Sequence, residues 1–386
     1  MIRTTIFWTH LVCGVACGLV ILMMSVTGVI LTYERQMLAW QTRDFHTDPP
    51  AAGARQAIET FVATATRDDP SLVPTSVRLS SNPRAPVLVS AGRSGSRYLN
   101  PYTGDVLGEP PTGLGAFFGA VTGWHRWFNA SGDSRALWRA VTGVSNLAFL
   151  FLIASGIYLW LPRTYRWVMF RAHLLFNRNA LRGKARDYNW HHVFGIWTAI
   201  PLFIVVATAV VFSYPWASDG VYRAFGEEPP AGRGGPPAAA RTGSGLAGAP
   251  FAPSTAAAVP LPLDALFQRA ADQVGDWQTI TVNLPADDAG TVSFAIDQGN
   301  GGQPQLRHNL TLDAFSGKVA DWQPFDSQTP GRRARLWIRF LHTGEALGII
   351  GQTVAGLVSL TSIIMVWTGL ALAWRRLIAP LFRRRA

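Results

Sequence analysis

Four long apolar segments constrain this chain more than any other feature. They run over about Ile6–Tyr33, Leu137–Leu161, Trp190–Tyr214 and Leu347–Trp374 of the 386 residues. Each is long enough to cross the roughly 30 Å hydrocarbon core of a bilayer as a helix. The first is far longer than the roughly 7–15 apolar residues of a signal peptide, and no small-residue cleavage site follows it. The sequence therefore predicts four retained transmembrane helices.

The net charge of +11 is unevenly distributed. Arginine and lysine gather before the first apolar segment, between the second and third, and after the fourth, whereas the remainder of the chain is close to neutral. This is the positive-inside pattern, and it predicts that both termini are cytoplasmic. We therefore interpret the charge as a membrane-topology signal and expect no nucleic-acid partner. The lipid bilayer is the predicted surrounding.

The two large polar segments on the other side of the membrane have the same internal order. Each is predicted to start with an amphipathic helix and to continue with short strands that end in a glycine turn. In the first segment these are RQAIETFVATATRDD, then TSVRLSS, PVLVSAG and RYLN, then the turn NPYTGDV. In the second they are LDALFQRAADQV, then WQTITVNLP, TVSFAID and LRHNLTL, then the turn DAFSGKV.

The histidines near the apolar segments follow the same repeat. HLVCG at His10 aligns with HHVFG at His191, and one histidine, His125 or His342, follows each glycine turn. Two tandem units that cross a membrane in the same direction are related by an axis along the membrane normal. The predicted fold is thus an α-helical membrane protein with four transmembrane helices in two tandem repeats and two α+β modules outside the membrane.

The domain boundaries follow from this repeat. A low-complexity segment rich in Gly, Pro and Ala interrupts the second unit and is predicted to be a disordered insert. The predicted order is transmembrane helix 1 at 1–36, module 1 at 37–122, a histidine segment with transmembrane helix 2 at 123–162, a basic cytoplasmic loop at 163–188, transmembrane helix 3 at 189–216, the insert at 226–262, module 2 at 263–331, a histidine segment with transmembrane helix 4 at 332–375, and a basic cytoplasmic tail at 376–386.

Four histidines are candidate metal ligands. A two-fold arrangement places His10 opposite His191 near one membrane surface and His125 opposite His342 near the other. Ionisable groups at membrane depth are costly and usually functional, and two facing imidazoles are a common axial ligand set for haem iron. No C-x-x-C-H motif occurs, so a haem would be bound non-covalently. Spacing alone also allows a proton relay, another metal, or simple packing, and His192 is an alternative ligand to His191.

Several motifs resemble the PepSY-associated transmembrane helix family. They are WTHLVCG, LNPYTGDVLGE, NWHHVFGIW…PLF, LDAFSGKV and LHTGEALGIIGQ…TGLALAW, and together they cover nearly the whole chain except the insert. Functional relatives in that family include inner-membrane ferric-siderophore reductases of the ferrioxamine-reductase type in Gram-negative bacteria. The resemblance implies two haem b groups, each with two histidine ligands, and PepSY-like modules in the periplasm. By motif match, His10, His125, His191 and His342 take the positions of the family's membrane histidines.

The resemblance implies a stepwise electron transfer across the membrane. An unknown cytoplasmic or quinol donor is expected to reduce an inner haem held by His10 and His191. An outer haem held by His125 and His342 then passes the electron to a periplasmic ferric siderophore, and iron leaves as the softer, less charged Fe(II). Two alternatives are a non-enzymatic PepSY-containing sensor or peptidase regulator, and a haem-bearing electron-transfer partner of another periplasmic oxidoreductase.

Basic and aromatic residues flank the two outer histidines and form a candidate docking surface for the siderophore. Trp124, Arg126 and Trp127 surround His125, and Arg335 and Arg339 precede His342 along the chain. The same residue types also anchor segments at a membrane interface, so both interpretations stand. There is no G-x-G-x-x-G after a strand and no P-loop, so the electron donor is expected to be a separate molecule.

Overall fold

The structure is a computed structural model that describes residues 1–51, 53–164, 166–180, 182–230, 259–285 and 290–383. Most of the insert predicted at 226–262 and the last three residues of the predicted tail lie outside the described residues. The chain divides into two compact units, which we call the helical unit and the sheet unit. The helical unit comprises Met1–Glu34, Gly115–Pro229 and Ala334–Ala386, and the sheet unit comprises Arg35–Leu114 and Pro230–Arg333.

The helices and strands are numbered in chain order. The helices are α1 Ile2–Leu31, α2 Glu34–Gln41, α3 Ile58–Asp68, α4 Thr112–Trp127, α5 Ser134–Trp160, α6 Trp167–Leu174, α7 Gly183–Ser213, α8 Pro215–Ala224, α9 Leu263–Gln273, α10 Pro330–His342, α11 Gly348–Leu377 and α12 Ala379–Arg383. The strands are β1 Ser76–Ser80, β2 Val87–Ser90, β3 Ser96–Leu99, β4 Val106–Gly108, β5 Thr279–Asn283, β6 Thr291–Asp297, β7 Arg307–Asp313 and β8 Val319–Gln323.

Four helices form the framework of the helical unit. In the described part of the chain, four helical stretches are long and apolar enough to cross a membrane, and they contain α1, α5, α7 and α11. Each of these helices packs against two others in the cyclic order α1, α5, α7, α11, so α1 faces α7 across the interior. We call the end of the bundle where α1 and α7 begin the near end, and the end where they finish the far end.

Polar contacts fasten the near end. The guanidinium of Arg3 donates to the carbonyls of Leu159 and Leu161, 2.7 and 2.8 Å away, at the end of α5. The carboxylate of Asp187 on α7 is fully buried and accepts hydrogen bonds from Arg186 and from Arg375 on α11. A buried carboxylate is tolerated only when its charge is paired, so Asp187 ties the start of α7 to the end of α11.

The stretch predicted as a cytoplasmic loop at 163–188 is partly helical. It contains α6 and the first turns of α7, which begins at Gly183 rather than near Trp190. The helix begins earlier than the predicted membrane segment because that segment was defined by the apolar run alone. Polar residues continue α7 at the near end because Asp187 is paired with Arg375. In α6, Trp167 and Val168 are more than 70% exposed, as on a helix that lies at an interface.

The sheet unit contains one antiparallel sheet of eight described strands. Its order is β4-β3-β2-β1-β5-β6-β7-β8, so each half of the sheet comes from one of the two predicted modules. The halves are joined by β1 and β5, which pair along their full length from Ser76↔Asn283 to Ser80↔Thr279. Pairing removes the exposed strand edge that each half would otherwise present. The two predicted modules therefore share one continuous sheet.

One hydrophobic core lies between this sheet and the helices α3 and α9. Alternate strand residues such as Val77 and Ile280 are completely buried, as are Phe61 of α3 and Leu266 of α9. The alternation of apolar and polar residues along each strand produces this arrangement, because successive side chains point to opposite faces of a sheet. The six strands and two helices predicted for this unit are present, and the short strands β4 and β8 are additional.

The two glycine turns have the same geometry. The side-chain oxygen of Asn100 accepts hydrogen bonds from the backbone of the next turn residues, and Asp313 does the same in the second half. Gly104 and Gly317 have φ values of +78° and +65°, which side-chain-bearing residues rarely adopt. Each turn connects a strand to its neighbour, β3 to β4 and β7 to β8.

The helices α3 and α9 cap each other. The backbone N–H of Ile58 donates to Oδ2 of Asp264 at 3.0 Å, and the N–H of Leu263 donates to Oε1 of Glu59 at 2.6 Å. Each carboxylate thus satisfies an N–H at the start of the other helix that has no partner within its own helix. Burial raises the pKa of Asp264, and the nearby charge of Glu59 raises it further.

We predict that Glu59→Ala lowers the free energy of unfolding of the sheet unit by about 1 kcal/mol, because the cap of α9 is lost. Glu59→Gln keeps an acceptor oxygen and is expected to have a smaller effect. Thermal unfolding of the full-length protein, followed by intrinsic fluorescence, measures both. Asp276→Ala changes an exposed carboxylate that caps neither helix and is the matched control. Equal effects of Glu59→Ala and Asp276→Ala would contradict the capping role.

The pH dependence of the same variants tests the carboxylate pair. Because the folded-state pKa of Asp264 is raised, the unfolded state loses this proton first as the pH rises from about 4. The pair therefore lowers stability progressively up to the folded-state pKa. We expect the melting temperature of the wild type to fall relative to that of Glu59→Gln between pH 4 and pH 7. A difference that stays constant with pH would exclude the interaction.

Candidate functional site

The four candidate ligands lie at two levels of the helical unit. His10 on α1 and His191 on α7 lie towards the near end, on the two helices that face each other. His125 and His342 lie at the ends of α4 and α10 and contact the far halves of α1 and α7. The ring centroids of His125 and His342 are 6.3 Å apart. The structure therefore brings the predicted partners of each pair to the same level.

A cavity of about 750 Å³ opens between the four membrane helices at the level of His10 and His191. Both histidines line it, as do Gly14, Gly18 and Gly195. The volume falls within the range of roughly 300–1,000 Å³ that is typical of small-molecule and cofactor sites. At its near end the lining is basic and comprises Arg3, Arg163, Lys184, Arg375 and Arg376. The cavity can therefore hold a large, mostly apolar group that carries negative charge at one end.

A hydroxyl group on another helix contacts the Nδ1 atom of each candidate ligand. The oxygen of Ser155 is 2.8 Å from Nδ1 of His10, and that of Thr27 is 2.8 Å from Nδ1 of His125. In the other half, the oxygen of Thr368 is 3.1 Å from Nδ1 of His191, and that of Thr208 is 3.3 Å from Nδ1 of His342. Backbone carbonyls add further contacts at His191 from Met365, 3.1 Å, and at His342 from Val205, 2.8 Å.

These contacts assign the proton on each imidazole. A carbonyl oxygen can only accept a hydrogen bond, so Nδ1 of His191 and of His342 carries the proton. The oxygen of each of the four hydroxyls lies 2.6–2.8 Å from a carbonyl oxygen one turn earlier in its own helix, so the single hydroxyl proton is donated to that carbonyl. The hydroxyl oxygens are therefore acceptors for Nδ1–H, also at His10 and His125. We assign the Nδ1–H tautomer to all four rings, which leaves Nε2 as the nitrogen with a lone pair for a metal.

The contacts of one half correspond to those of the other, residue for residue. Thr27 and Thr208 each lie 17 residues after the histidine of their own helix, His10 or His191. The hydroxyl residue is followed by glycine in both Ser155-Gly156 and Thr368-Gly369. A Cβ atom on Gly156 would lie 3.5 Å from Cε1 of His10, and one on Gly369 would lie 3.3 Å from Cε1 of His191. These glycines let each ring lie against a neighbouring helix backbone.

The donor set at both levels fits a haem iron with two histidine ligands. Among the described residues, no three His, Cys, Asp or Glu side chains come together as a metal-binding group, so each level offers two imidazoles. The ring centroids of His125 and His342 are 6.3 Å apart, so these two imidazoles are close enough to be ligands of one metal ion. At the other level, the cavity supplies the space for a macrocycle.

His192 lines the same cavity as His191 but has different partners. Its Nδ1 contacts the carbonyl of Tyr188 on its own helix at 2.9 Å, and its ring lies 4.1 Å from the ring of Tyr188 and 4.7 Å from that of His173. Nδ1 of His191 instead contacts the neighbouring helix α11. His192 therefore stays an alternative ligand, and its contacts place it among aromatic residues at the edge of the cavity.

The predicted docking residues beside His125 have two different environments. Trp124 is 46% exposed and contacts the ring of Phe128. Trp127 instead holds two guanidinium groups, with Arg126 4.8 Å and Arg135 4.0 Å from the ring centroid. Cation–π contacts of this kind hold a flexible arginine in place without removing its charge. Trp127 thus positions arginines next to the outer histidine pair.

The docking residues of the other half are arranged around Phe212. The guanidinium of Arg335 lies 4.8 Å from the centroid of this ring and donates to the hydroxyl of Ser218 at 3.1 Å. Phe212 also contacts the ring of His342, with a centroid separation of 5.6 Å. Arg339 lies three residues before His342 on α10, and its guanidinium is 5.4 Å from the ring of Phe340.

Sequence reasoning missed the hydroxyl residues and two of the arginines. Ser155 and Thr368 could have been found from the repeat, because SGIYLW and TGLALAW occupy matching places at the ends of the second and fourth apolar segments. Thr27 and Thr208 are ordinary members of apolar helices. Arg135 and Arg139 lie on α5, and only the packing of α5 brings them near the outer histidines. Contacts between helices are not visible in a single sequence.

Together, the helical bundle and its paired histidines define a multi-helix membrane protein with two candidate cofactor levels, joined to an α+β sheet unit. The family model for the PepSY-associated TM region matches residues 7–376, and the chain belongs to this family. The resemblance inferred from the motifs is thereby confirmed. No curated protein matches the sequence.

We predict a graded effect when the hydroxyl residues at the near level are replaced. Ser155→Ala removes the hydroxyl that contacts Nδ1 of His10. If His10 is a haem ligand, as proposed below, this change should weaken haem binding about tenfold, because the neighbours of a ligating histidine orient it. Thr368→Val should have a smaller effect, because His191 keeps the carbonyl of Met365. Haem titration followed at the Soret band and the midpoint potential measure both effects.

The conservative variants separate positioning from packing. Ser155→Thr and Thr368→Ser retain a hydroxyl and are expected to restore the wild-type haem affinity and midpoint potential. If Ser155→Ala and Ser155→Thr behave alike, the hydroxyl does not orient His10. An effect of Thr368→Val larger than that of Ser155→Ala would contradict the contribution assigned to the carbonyl of Met365.

Proposed function

We propose that this protein is a haem-containing reductase of the inner membrane that passes electrons across the bilayer to a periplasmic ferric siderophore. The observation that carries the proposal is the arrangement of the two histidine pairs. They lie at two levels of one membrane bundle, each ring is held at Nδ1 by another helix, and Nε2 is the nitrogen left for iron. Two levels of one-electron carriers are what a path across a membrane requires.

The chain's own residues would hold two haem b groups in this arrangement. His10 and His191 are the ligands at the near level, and His125 and His342 are the ligands at the far level. A haem with two imidazole ligands supplies a one-electron carrier between Fe(III) and Fe(II). The apolar helices keep water away from both levels, and the Nδ1 contacts hold the rings in a fixed tautomer and orientation. Acid–base side chains are not needed for this transfer.

Iron release follows from the charge of the metal. Siderophores hold Fe(III), a hard cation, through anionic oxygen atoms, and one electron converts it to the softer and less charged Fe(II). No bond to the protein has to form or break, and the ligand releases iron because its affinity for Fe(II) is lower. The electron comes from an external donor, either a cytoplasmic reductase or a membrane quinol.

The proposed topology places the near end in the cytoplasm and the sheet unit in the periplasm. The basic residues around the near end, including Arg3, Lys184 and Arg376, support this orientation through the positive-inside rule. In this orientation the near level faces the electron donor and the far level faces the siderophore.

Absorption spectra of single histidine variants test the cofactor and the pairing. We expect His10→Ala and His191→Ala to lose the low-spin signal of one haem, and His125→Ala and His342→Ala to lose that of the other. His192→Ala is expected to retain both. His46→Ala, in the sheet unit, is the matched control. Any other grouping of the losses would contradict the proposed pairs.

The same preparation separates the three candidate functions. A purified protein without a Soret band, even after addition of haem, would favour a non-enzymatic sensor or peptidase regulator. A haem protein whose reduced form is not oxidised by any ferric siderophore would instead be an electron-transfer partner of another oxidoreductase. Oxidation of the reduced haems together with the appearance of Fe(II) in a ferrous-iron trap is the result expected for the reductase.

A further inference from the structure

Five arginines surround the far histidine pair, and we call them the arginine collar. They are Arg126, Arg135, Arg139, Arg335 and Arg339. All except Arg335 have exposed side chains, and Arg335 is half-buried. The collar comes from both halves of the helical unit. Arg126 lies on α4, Arg135 and Arg139 lie on α5, and Arg335 and Arg339 lie on α10.

Two aromatic rings hold three of the five collar arginines beside the histidines. Trp127 lies two residues after His125 and contacts the guanidinium groups of Arg126 and Arg135. Phe212 contacts the ring of His342 and also the guanidinium of Arg335. The guanidinium of Arg139 donates to the carbonyl of Phe212 at 3.4 Å. These guanidinium groups are therefore separated from the proposed outer ligands by only one or two intervening side chains.

The charges of the collar act on one another. The guanidinium groups of Arg126 and Arg135 lie 4.8 and 4.0 Å from the centroid of the same ring, that of Trp127, so two positive charges are held close together. An arginine remains protonated in any case, so this mutual repulsion persists in the folded protein. A negatively charged ligand between the guanidinium groups would relieve it. The collar thus has the electrostatics of a site for a multiply charged anion.

We propose that the arginine collar selects anionic ferric chelates over neutral or cationic ones. This inference rests on the proposed reductase function and names the charge class of its substrate. Guanidinium groups bind carboxylate and catecholate oxygens through paired N–H donors, and a cluster of like charge increases the association rate of the opposite charge by about tenfold or more. The bound Fe(III) would be reduced to Fe(II) by one electron, which a haem held by His125 and His342 would supply, and no proton or leaving group is involved.

The sharpest test compares two chelates that have the same iron centre and carry side groups of opposite charge. One is a ferric trihydroxamate with a terminal ammonium group, and the other is the same complex with that amine converted to a succinyl carboxylate. Both have the same iron environment and therefore the same driving force. The full-length protein in zwitterionic nanodiscs is reduced with dithionite, desalted without oxygen and mixed with each chelate in a stopped-flow instrument. Oxidation of the haem is followed in the visible spectrum.

We expect the carboxylate chelate to oxidise the reduced wild type about tenfold faster than the ammonium chelate at about 0.05 M salt. The ratio of the two rates should approach one at about 0.5 M salt, where the Debye length is roughly one-third as long. The double variant Arg135→Gln with Arg139→Gln should bring the ratio close to one at low salt. Arg135→Lys with Arg139→Lys should retain part of the preference. The matched control, Arg43→Gln with Arg67→Gln, removes the same charge from the sheet unit and should leave the ratio unchanged.

The outcomes distinguish this inference from the proposed function. If neither chelate oxidises the reduced protein, the reductase function itself fails. If both oxidise it equally fast in the wild type, the function stands and the anion selectivity is wrong. If the Arg→Gln double variant loses haem or shifts its midpoint potential before any chelate is added, the collar serves the haem carboxylates. If the preference appears in zwitterionic nanodiscs but disappears when they contain 20% phosphatidylglycerol, the collar binds lipid phosphate instead, because a collar that binds the chelate should keep the preference in both lipids.

Discussion

The helical unit depends on the hydrogen bond between the Nδ1 atom of each membrane histidine and a hydroxyl oxygen on another helix. A buried imidazole N–H without an acceptor is costly in a low-dielectric interior, so each histidine requires a particular neighbouring helix in a particular position. Ser155 joins α5 to α1, and Thr368 joins α11 to α7. Thr27 and Thr208 join α1 and α7 to the segments that carry the far histidines. The same contacts place the proton of each ring on Nδ1. The hydrogen bonds that hold the helices together therefore also leave the lone pair of Nε2 available.

In the sheet unit, the two halves satisfy each other's unpaired backbone groups. Each half has a strand edge and a helix start that would lack hydrogen-bond partners alone. The β1–β5 ladder satisfies the edge, and the exchange of carboxylates between α3 and α9 satisfies the helix starts. The exchange brings Glu59 and Asp264 together, which raises the pKa of Asp264. The halves therefore form one core, and a change in one of them is expected to be felt in the other.

Arg3 and Arg375 at the near end of the bundle are held differently from Arg126 and Arg135 at the far end. At the near end, Arg3 donates to carbonyls at the end of α5, and Arg375 is paired with the buried carboxylate of Asp187. At the far end, Arg126 and Arg135 lie against the ring of Trp127. A carboxylate neutralises a guanidinium, whereas an aromatic ring leaves its charge in place. The near-end contacts therefore stabilise the bundle, and those at the far end keep positive charge available beside the outer histidines.

The sequence by itself determined the four membrane helices, the order of helix and strands in each half, the two glycine turns and the four histidines. These features follow from local composition: apolar length, alternation of side chains, and the backbone freedom of Gly104 and Gly317. Tertiary structure decided the rest. The union of two modules into one sheet, the hydroxyl partners of the histidines, and the placement of Arg135 and Arg139 all depend on elements far apart in the chain. The repeat predicted which histidines face each other, but not which hydroxyl or arginine of another helix lies beside them, because burial and hydrogen bonding between elements exist only once the chain has folded.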